Sequence, residues 1–173
     1  MSHGVVIDAN ILQAWYSDYT NDQTGPGSTY EFVEMVARCF GFAIDQAGRI
    51  EGEWLSKVGK QVVIRIWFED QIKEGRIHRV LSFMDKKTEK VVCEEYGFPK
   101  RDKDIVYLRC ANRTDNRHLV SNDIHFYEPK SAGSGQIKRD RIMRNREGSL
   151  CRYLQRQLGV YVCNPQYFDS CFR

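Results

Sequence analysis

Two stretches decide the fold: Val5-Val6-Ile7-Asp8-Ala9-Asn10 and His118-Leu119-Val120-Ser121-Asn122-Asp123. In each, aliphatic and β-branched residues lead to a carboxylate, directly at Asp8 and through Ser121-Asn122 at Asp123, with no alternation of polar positions within the apolar run. Such a run reads as a strand buried on both faces, the habit of a parallel sheet. In an open α/β sheet the carboxyl ends of the strands border the ligand crevice, so Asp8 and Asp123 are delivered to one edge. Two aspartates a few Å apart raise one another's pKa and are costly to cluster unless a cation sits between them. The pattern therefore predicts a metal site.

Working outward, the chain reads as one domain over residues 1–173, long enough to bury a core without staples. Its apolar fraction of 42% and charged fraction of 28% are those of a globular protein. No stretch reaches the roughly 18 to 20 apolar residues of a membrane span, and the start lacks a signal peptide's pattern. A cytoplasmic protein is expected. The six cysteines, Cys39, Cys93, Cys110, Cys151, Cys163 and Cys171, include no CxxC and no zinc-like Cys/His pairing, so they are read as structural thiols.

Strands and helices alternate along the chain. After the first strand, Ser17 to Ser28 reads as a polar loop, and Ser28 with Glu31 forms a capping box for a helix from about Thr29 to Phe40. Phe42 to Asp45 is a second strand. One long helix is expected from about Glu53 to Lys73, with Trp54, Leu55, Val58, Val62, Ile66 and Trp67 as its inner stripe. Arg76 to Phe83 is ambiguous between strand and link. Asp85 caps a helix to about Tyr96, ended by Gly97 and Pro99. A helix over about Lys103 to Arg113 precedes the Leu119 strand, Glu128 to Gln136 reads as a loop, and a helix over about Gly148 to Leu158 leads to a strand at Val160 to Cys163. This order implies right-handed crossovers and a three-layer α/β/α sandwich with a mainly parallel central sheet.

Net charge is only +3, but Lys138, Arg139, Arg141, Arg144 and Arg146 stand against the single Asp140 between Gln136 and Arg146. Clustered Arg and Lys are what phosphate contacts reward, so these five are candidate nucleic-acid-binding residues, against the alternative of a solvated face. His3, His78, His118 and His125 are scattered and form no Ser-His-Asp or Cys-His order. There is no P-loop and no GxGxxG, so nucleotide-cofactor chemistry is unsupported.

Val6-Ile7-Asp8-Ala9-Asn10-Ile11-Leu12, the acid-led Asp104-Ile105-Val106-Tyr107-Leu108-Arg109-Cys110-Ala111, and Leu119-Val120-Ser121-Asn122-Asp123 together resemble the PIN-like nuclease family. Leu158-Gly159-Val160-Tyr161-Val162 with Pro165 and Phe168 is similar to that family's closing strand. The resemblance implies a PIN-like fold and a site of four acids that are both catalytic and metal-holding: Asp8, Glu53, Asp104 and Asp123. Asp104 is preferred to Asp102 because Ala111 lies seven residues on, as in the family. Glu53 is selected by Ile50-Glu51-Gly52-Glu53-Trp54, with Glu51, Glu31 and Glu34 as rivals. On the bland reading Asp104 is an N-cap and Glu53 favours a helix start.

Four carboxylates without nearby His or Cys make a hard oxygen site suited to Mg²⁺ or Mn²⁺. Asn10, Ser121 and Asn122 are expected to support those carboxylates or the scissile phosphate. The function expected from the resemblance is a metal-dependent endonuclease hydrolysing phosphodiester bonds by a two-metal mechanism. RNA is the favoured substrate over DNA, with a toxin (paired with an antitoxin) or phage-defence role. The resemblance leaves a protein regulator or homo-oligomer open. The alternative is a non-catalytic PIN-like module that binds nucleic acid or protein. A phosphatase with an aspartyl nucleophile is disfavoured, because Asn10 stands where a second aspartate would be needed.

Overall fold

In the computed structural model, residues 4–22, 25, 28–99 and 102–166 are described, and all the strand pairing among them is parallel. Strand β1 (Val6–Ile7) pairs with β4 (His118–Val120), which pairs in turn with β5 (Tyr161–Cys163). Ile7 stands opposite Val120 and Val120 opposite Cys163, so the three strands end level with one another. A second pair, β2 (Phe42–Asp45) with β3 (Ile77–Val80), has Asp45 opposite Val80. A bridge at Val5 joins the two pairs: its N–H donates to the Gly41 carbonyl at 3.0 Å and its carbonyl accepts from the Ala43 N–H at 2.9 Å. The order across the molecule is therefore β3-β2-β1-β4-β5. Val5, Val6, Ile7, Leu119 and Val120 are wholly buried, which is why these runs carry no polar alternation.

Helices cover the strands and complete a mixed α/β fold. Helix α1 (Ala9–Thr20) follows β1 without a link and buries Ile11, Leu12 and Trp15. The loop expected from Ser17 therefore begins later: Ser17 to Thr20 are helical, and the Thr20 hydroxyl donates back to Tyr16 and Ser17 carbonyls at 3.0 Å. Helix α2 (Thr29–Cys39) starts as expected, with Ser28 Oγ accepting from Glu31 N–H at 3.1 Å. Gly41 then turns the chain into β2 at φ +70, where a Cβ would lie 2.5 Å from the Arg76 carbonyl oxygen.

The single long helix expected over 53–73 is two helices, α3 (Arg49–Val58) and α4 (Val62–Lys73). The break at Gly59 to Gln61 resets the helical phase. Trp54 and Val58 are buried as expected, but Leu55, Val62 and Ile66 are exposed, and α4 buries Ile64, Phe68 and Gln71 instead. The ambiguous Arg76 to Phe83 stretch holds β3, an edge strand whose partly exposed Ile77, His78 and Arg79 hide its pattern.

Helix α5 (Lys86–Glu94) is capped by Asp85, which accepts from Thr88 N–H at 2.9 Å. Helix α6 (Asp102–Ala111) packs on α3 and on β1, β2 and β4. The basic stretch is an unexpected helix, α7 (Gln136–Asn145), ending at Arg146 in the left-handed region. It buries only Ile142 and Met143, too little apolar signal to read a helix from. The last α-helix among the described residues is α8 (Ser149–Tyr153), continued by a π-turn over Leu154–Leu158.

Cys39, Cys110 and Cys151 are free thiols, and burial pushes Cys151 up to about 11 and raises Cys110 as well. Both behave as inert packing groups. Cys171, Phe168 and His3 lie outside the described residues. Among the described residues no helix is long and apolar enough to cross a membrane.

Candidate metal centre

Asp8 sits one residue beyond the end of β1 and Asp123 three residues beyond the level end of β4, so the sheet brings both to one edge. The Asp8 N–H extends the ladder by donating to the Val120 carbonyl at 2.9 Å. Asp8 occupies the N-cap position of α1, yet its side chain makes no capping bond. Its Oδ2 accepts instead from the Ser121 hydroxyl at 2.7 Å, and Ser121 Oγ accepts from the Asp123 N–H at 2.9 Å. One buried serine thus ties the two acidic strand ends together. Ser121 is itself fixed by its N–H to the Cys163 carbonyl at 2.9 Å and by the Tyr127 hydroxyl on its own carbonyl at 3.0 Å.

Asp45 shows what a strand-end aspartate does when its duty is structural. It is wholly buried at the end of β2, and both its oxygens cap α3, accepting from Arg49 N–H at 3.1 Å and Ile50 N–H at 2.8 Å. Asp8 stands at the N-cap of α1 itself and makes no such bond.

Helix α3 delivers the third acid. The Trp54 indole donates to the Ile7 carbonyl at 3.2 Å and meets Phe42 and Phe68 edge-on, which locks α3 against the end of β1. Glu53 beside it accepts from the Tyr107 hydroxyl at 3.1 Å and pairs with Lys57 at 2.8 Å. Glu51, its rival, is turned the other way onto Arg79 of β3 at 2.6 Å. Glu34 takes the Trp15 indole at 3.3 Å and, with Glu31, lines a separate cavity beside α2. Glu53 is therefore the glutamate of this cluster.

Asp104 lies within the first turn of α6 rather than at its cap, since the helix begins at Asp102. It is half-buried, and Asp123 and Glu53 act on it. Burial raises its carboxyl above the ordinary range, reinforced by those two charges and opposed by His125 and Lys57. Asp8 is pushed up to about 6, mainly by burial, with Asp123 and Glu53 adding to the shift and Ser121 and Lys57 opposing it. The structure thus brings Asp8, Glu53, Asp104 and Asp123 into one electrostatic cluster.

Two members of that cluster were not picked out from the sequence. Lys57 stands one helical turn after Glu53, an i,i+4 spacing that does signal a pair. Although burial works against its charge, the Glu53 hydrogen bond and the charges of Glu53, Asp8 and Asp104 hold it above its ordinary value. Tyr107, three residues after Asp104 on the same helix face, is almost wholly buried. Burial and the nearby Asp8 and Glu53 charges raise its phenol, which stays a donor.

Asn10 Oδ1 accepts weakly from Asn122 N–H at 3.5 Å, and His125 closes on Asp123 Oδ1 through its N–H at 2.9 Å and its Nδ1 at 2.8 Å. Asn122 Oδ1 is buried without a partner. His125 on Asp123 corrects the expectation that no histidine stands near the carboxylates; the four carboxylates and this amide oxygen still form an oxygen donor set that fits a hard divalent cation. Among the described residues, no three of His, Cys, Asp and Glu stand as a ready-made ligand group, and the cation against Glu53 is the Lys57 ammonium.

The five basic residues do not form one stripe, because they are wound around α7. Arg139 lines a cavity with Asn10, Asn122, Asp123 and His125, directly beside the acids. Arg141 lies 3.7 Å from Glu147, Lys138 and Arg144 are exposed, and Arg146 closes the helix. Arg49, Glu53, Ser56 and Lys103 line a further cavity. The chain finds no match among family models, curated proteins or solved structures.

Proposed function

We propose that this protein is a PIN-like, metal-dependent nuclease that hydrolyses phosphodiester bonds, with RNA the favoured substrate. The observation that carries the reading is the cluster of Asp8, Glu53, Asp104 and Asp123, in which Asp8 is buried, held off its capping duty and pushed up to about 6. A scaffold gains nothing from concentrating like charges this way, whereas a divalent cation relieves the repulsion. The parallel strand order and the covering helices fit a three-layer sandwich of the PIN-like kind.

In this reading the four acids hold Mg²⁺ or Mn²⁺. Bound there, such ions supply an activated water and stabilise charge on the leaving oxygen. Ser121 orients Asp8 and Asp123, Tyr107 orients Glu53, and Asn10 and Asn122 flank the phosphate. Lys57 offsets part of the acidic charge before the cation enters. Arg139, which shares a cavity with Asp123, and Lys103, which shares one with Glu53, offer positive charge to a site that would otherwise repel a polyanion. A cytoplasmic toxin or phage-defence effector, working on nucleic acid and held by a protein regulator, is the setting this activity fits.

A second reading, a non-catalytic PIN-like module that binds nucleic acid or protein, is favoured by one observation. Lys57 already neutralises Glu53, and no three-ligand group stands ready. Incubating the purified protein with end-labelled single- and double-stranded RNA and DNA, in Mg²⁺, Mn²⁺ or EDTA, separates the two. The nuclease reading expects cleavage that needs the cation and is lost in Asp8→Asn and Asp123→Asn. Binding without cleavage in either cation sinks it.

A further inference from the structure

Both carboxylate oxygens of Glu53 are taken by the protein itself. Oε1 pairs with the Lys57 ammonium at 2.8 Å, and Oε2 accepts from the Tyr107 hydroxyl at 3.1 Å. The aspartates of the cluster differ. Asp8 accepts from the Ser121 hydroxyl on Oδ2, Asp123 is met by His125 on Oδ1, and the second oxygen of each meets no donor among the described residues. An i,i+4 glutamate–lysine pair on a helix is ordinarily a surface device that solvent screens. Here the Glu53 side chain is only 12% exposed, and it is gripped from α6 by the buried Tyr107 as well as from its own helix. The Lys57 ammonium, although partly exposed, also lies in the field of Asp8 and Asp104, which come from other elements. One fixed positive charge therefore stands among the four acids.

A pair of divalent ions about 4 Å apart needs carboxylates enough to bridge and flank both. In this cluster a second ion has only Glu53 left to turn to, and there it meets an ammonium. Like charges a few Å apart exclude one another where little water separates them. Resting on the metal reading of these acids, we propose that the centre takes one divalent ion, on Asp8, Asp104 and Asp123, and that Lys57, held on Glu53, supplies the positive charge a second ion would bring. This narrows the four-acid reading: Glu53 takes part through the ammonium it positions, and Tyr107 fixes Glu53 for that duty. The two-metal arrangement expected from the sequence becomes one ion with a lysine beside it.

Counting bound Mn²⁺ tests this without reading activity. The parent, Lys57→Met, Lys57→Gln and Lys57→Arg proteins are titrated with Mn²⁺, free ion is followed by electron paramagnetic resonance, and the spectrum of the bound ion is recorded at saturation. The parent and Lys57→Arg are expected to take up one ion per chain, with no spin coupling between neighbouring ions. Lys57→Met and Lys57→Gln, which lack the charge, are expected to take up a second ion at least about tenfold more tightly than the parent does, and to show the coupled spectrum of two adjacent ions. Two coupled ions in the parent or in Lys57→Arg, or a single ion in both neutral variants, overturns the role of Lys57 and leaves the metal reading standing. No uptake by the parent removes the metal reading, and this inference falls with it.

Discussion

Replacing Asp8 with Asn should stabilise the protein at neutral pH, and the size of the gain follows from the burial of its carboxyl. The ordinary value of 3.8 rises to about 6 in the folded chain, which corresponds to about 3 kcal/mol between the two protonation states. The sign is set by the raised value: the folded state holds the Asp8 proton more tightly than the unfolded one. The stabilisation is complete below 3.8 and is lost as pH rises through about 6. Asn keeps an oxygen to accept the Ser121 hydroxyl but carries no charge to bury. In EDTA, Asp8→Asn should therefore be more stable than the parent by up to about 3 kcal/mol at pH 7.5, and by almost nothing at pH 4. With an m-value of about 2 kcal/mol per M, the urea midpoint should move up by about 1.5 M at pH 7.5. Urea titrations of both proteins from pH 4 to 8 measure the difference directly. A variant no more stable than its parent at pH 7.5, or an advantage independent of pH, refutes a carboxylate held at the expense of the fold.

Two further outcomes follow from the same geometry. Lys57→Met removes the ammonium that pairs with Glu53 at 2.8 Å; because the pair is partly exposed, the loss should be about 1 kcal/mol, or about 2–4 °C in Tm without metal. A melt in EDTA that is unchanged or higher would show that Lys57 does not offset the acids. Asp45→Ala strips two N–H groups of α3, that of Ile50 buried and that of Arg49 partly so, of their acceptor and should cost about 2–4 kcal/mol by urea titration. The folded Asp45→Ala protein should still bind Mn²⁺ as the parent does; a tenfold weaker uptake would make Asp45 part of the centre.

The acidic edge was legible in the sequence because β1 and β4 are buried on both faces. Val5 to Ile7 and Leu119 to Val120 leave no polar position to disguise the strand or its terminal aspartate. Glu53 could be chosen over Glu51 only through a family pattern; the physical reason, Arg79 reaching across from β3, lies in a contact far along the chain. Helix α7 was hidden because it rests on Ile142 and Met143 alone, so its charges read as a linear patch. Wrapped into a helix, the same residues put Arg139 on the cavity and turn Arg141 to Glu147. The apolar run after Val58 misled in the opposite way. Val62 and Ile66 continue a helical period on paper, but the break at Gly59 to Gln61 rotates them into solvent.

The central claim is that these acids hold a divalent cation, and Mn²⁺ uptake tests it most directly. Free Mn²⁺ is followed by electron paramagnetic resonance as the ion is titrated into the parent, Asp8→Asn and Asp123→Asn proteins at pH 7.5. The account predicts saturable uptake by the parent, weakened at least about tenfold in each variant, as expected when a charged ligand is lost. No uptake by the parent, or equal uptake by all three proteins, would contradict it.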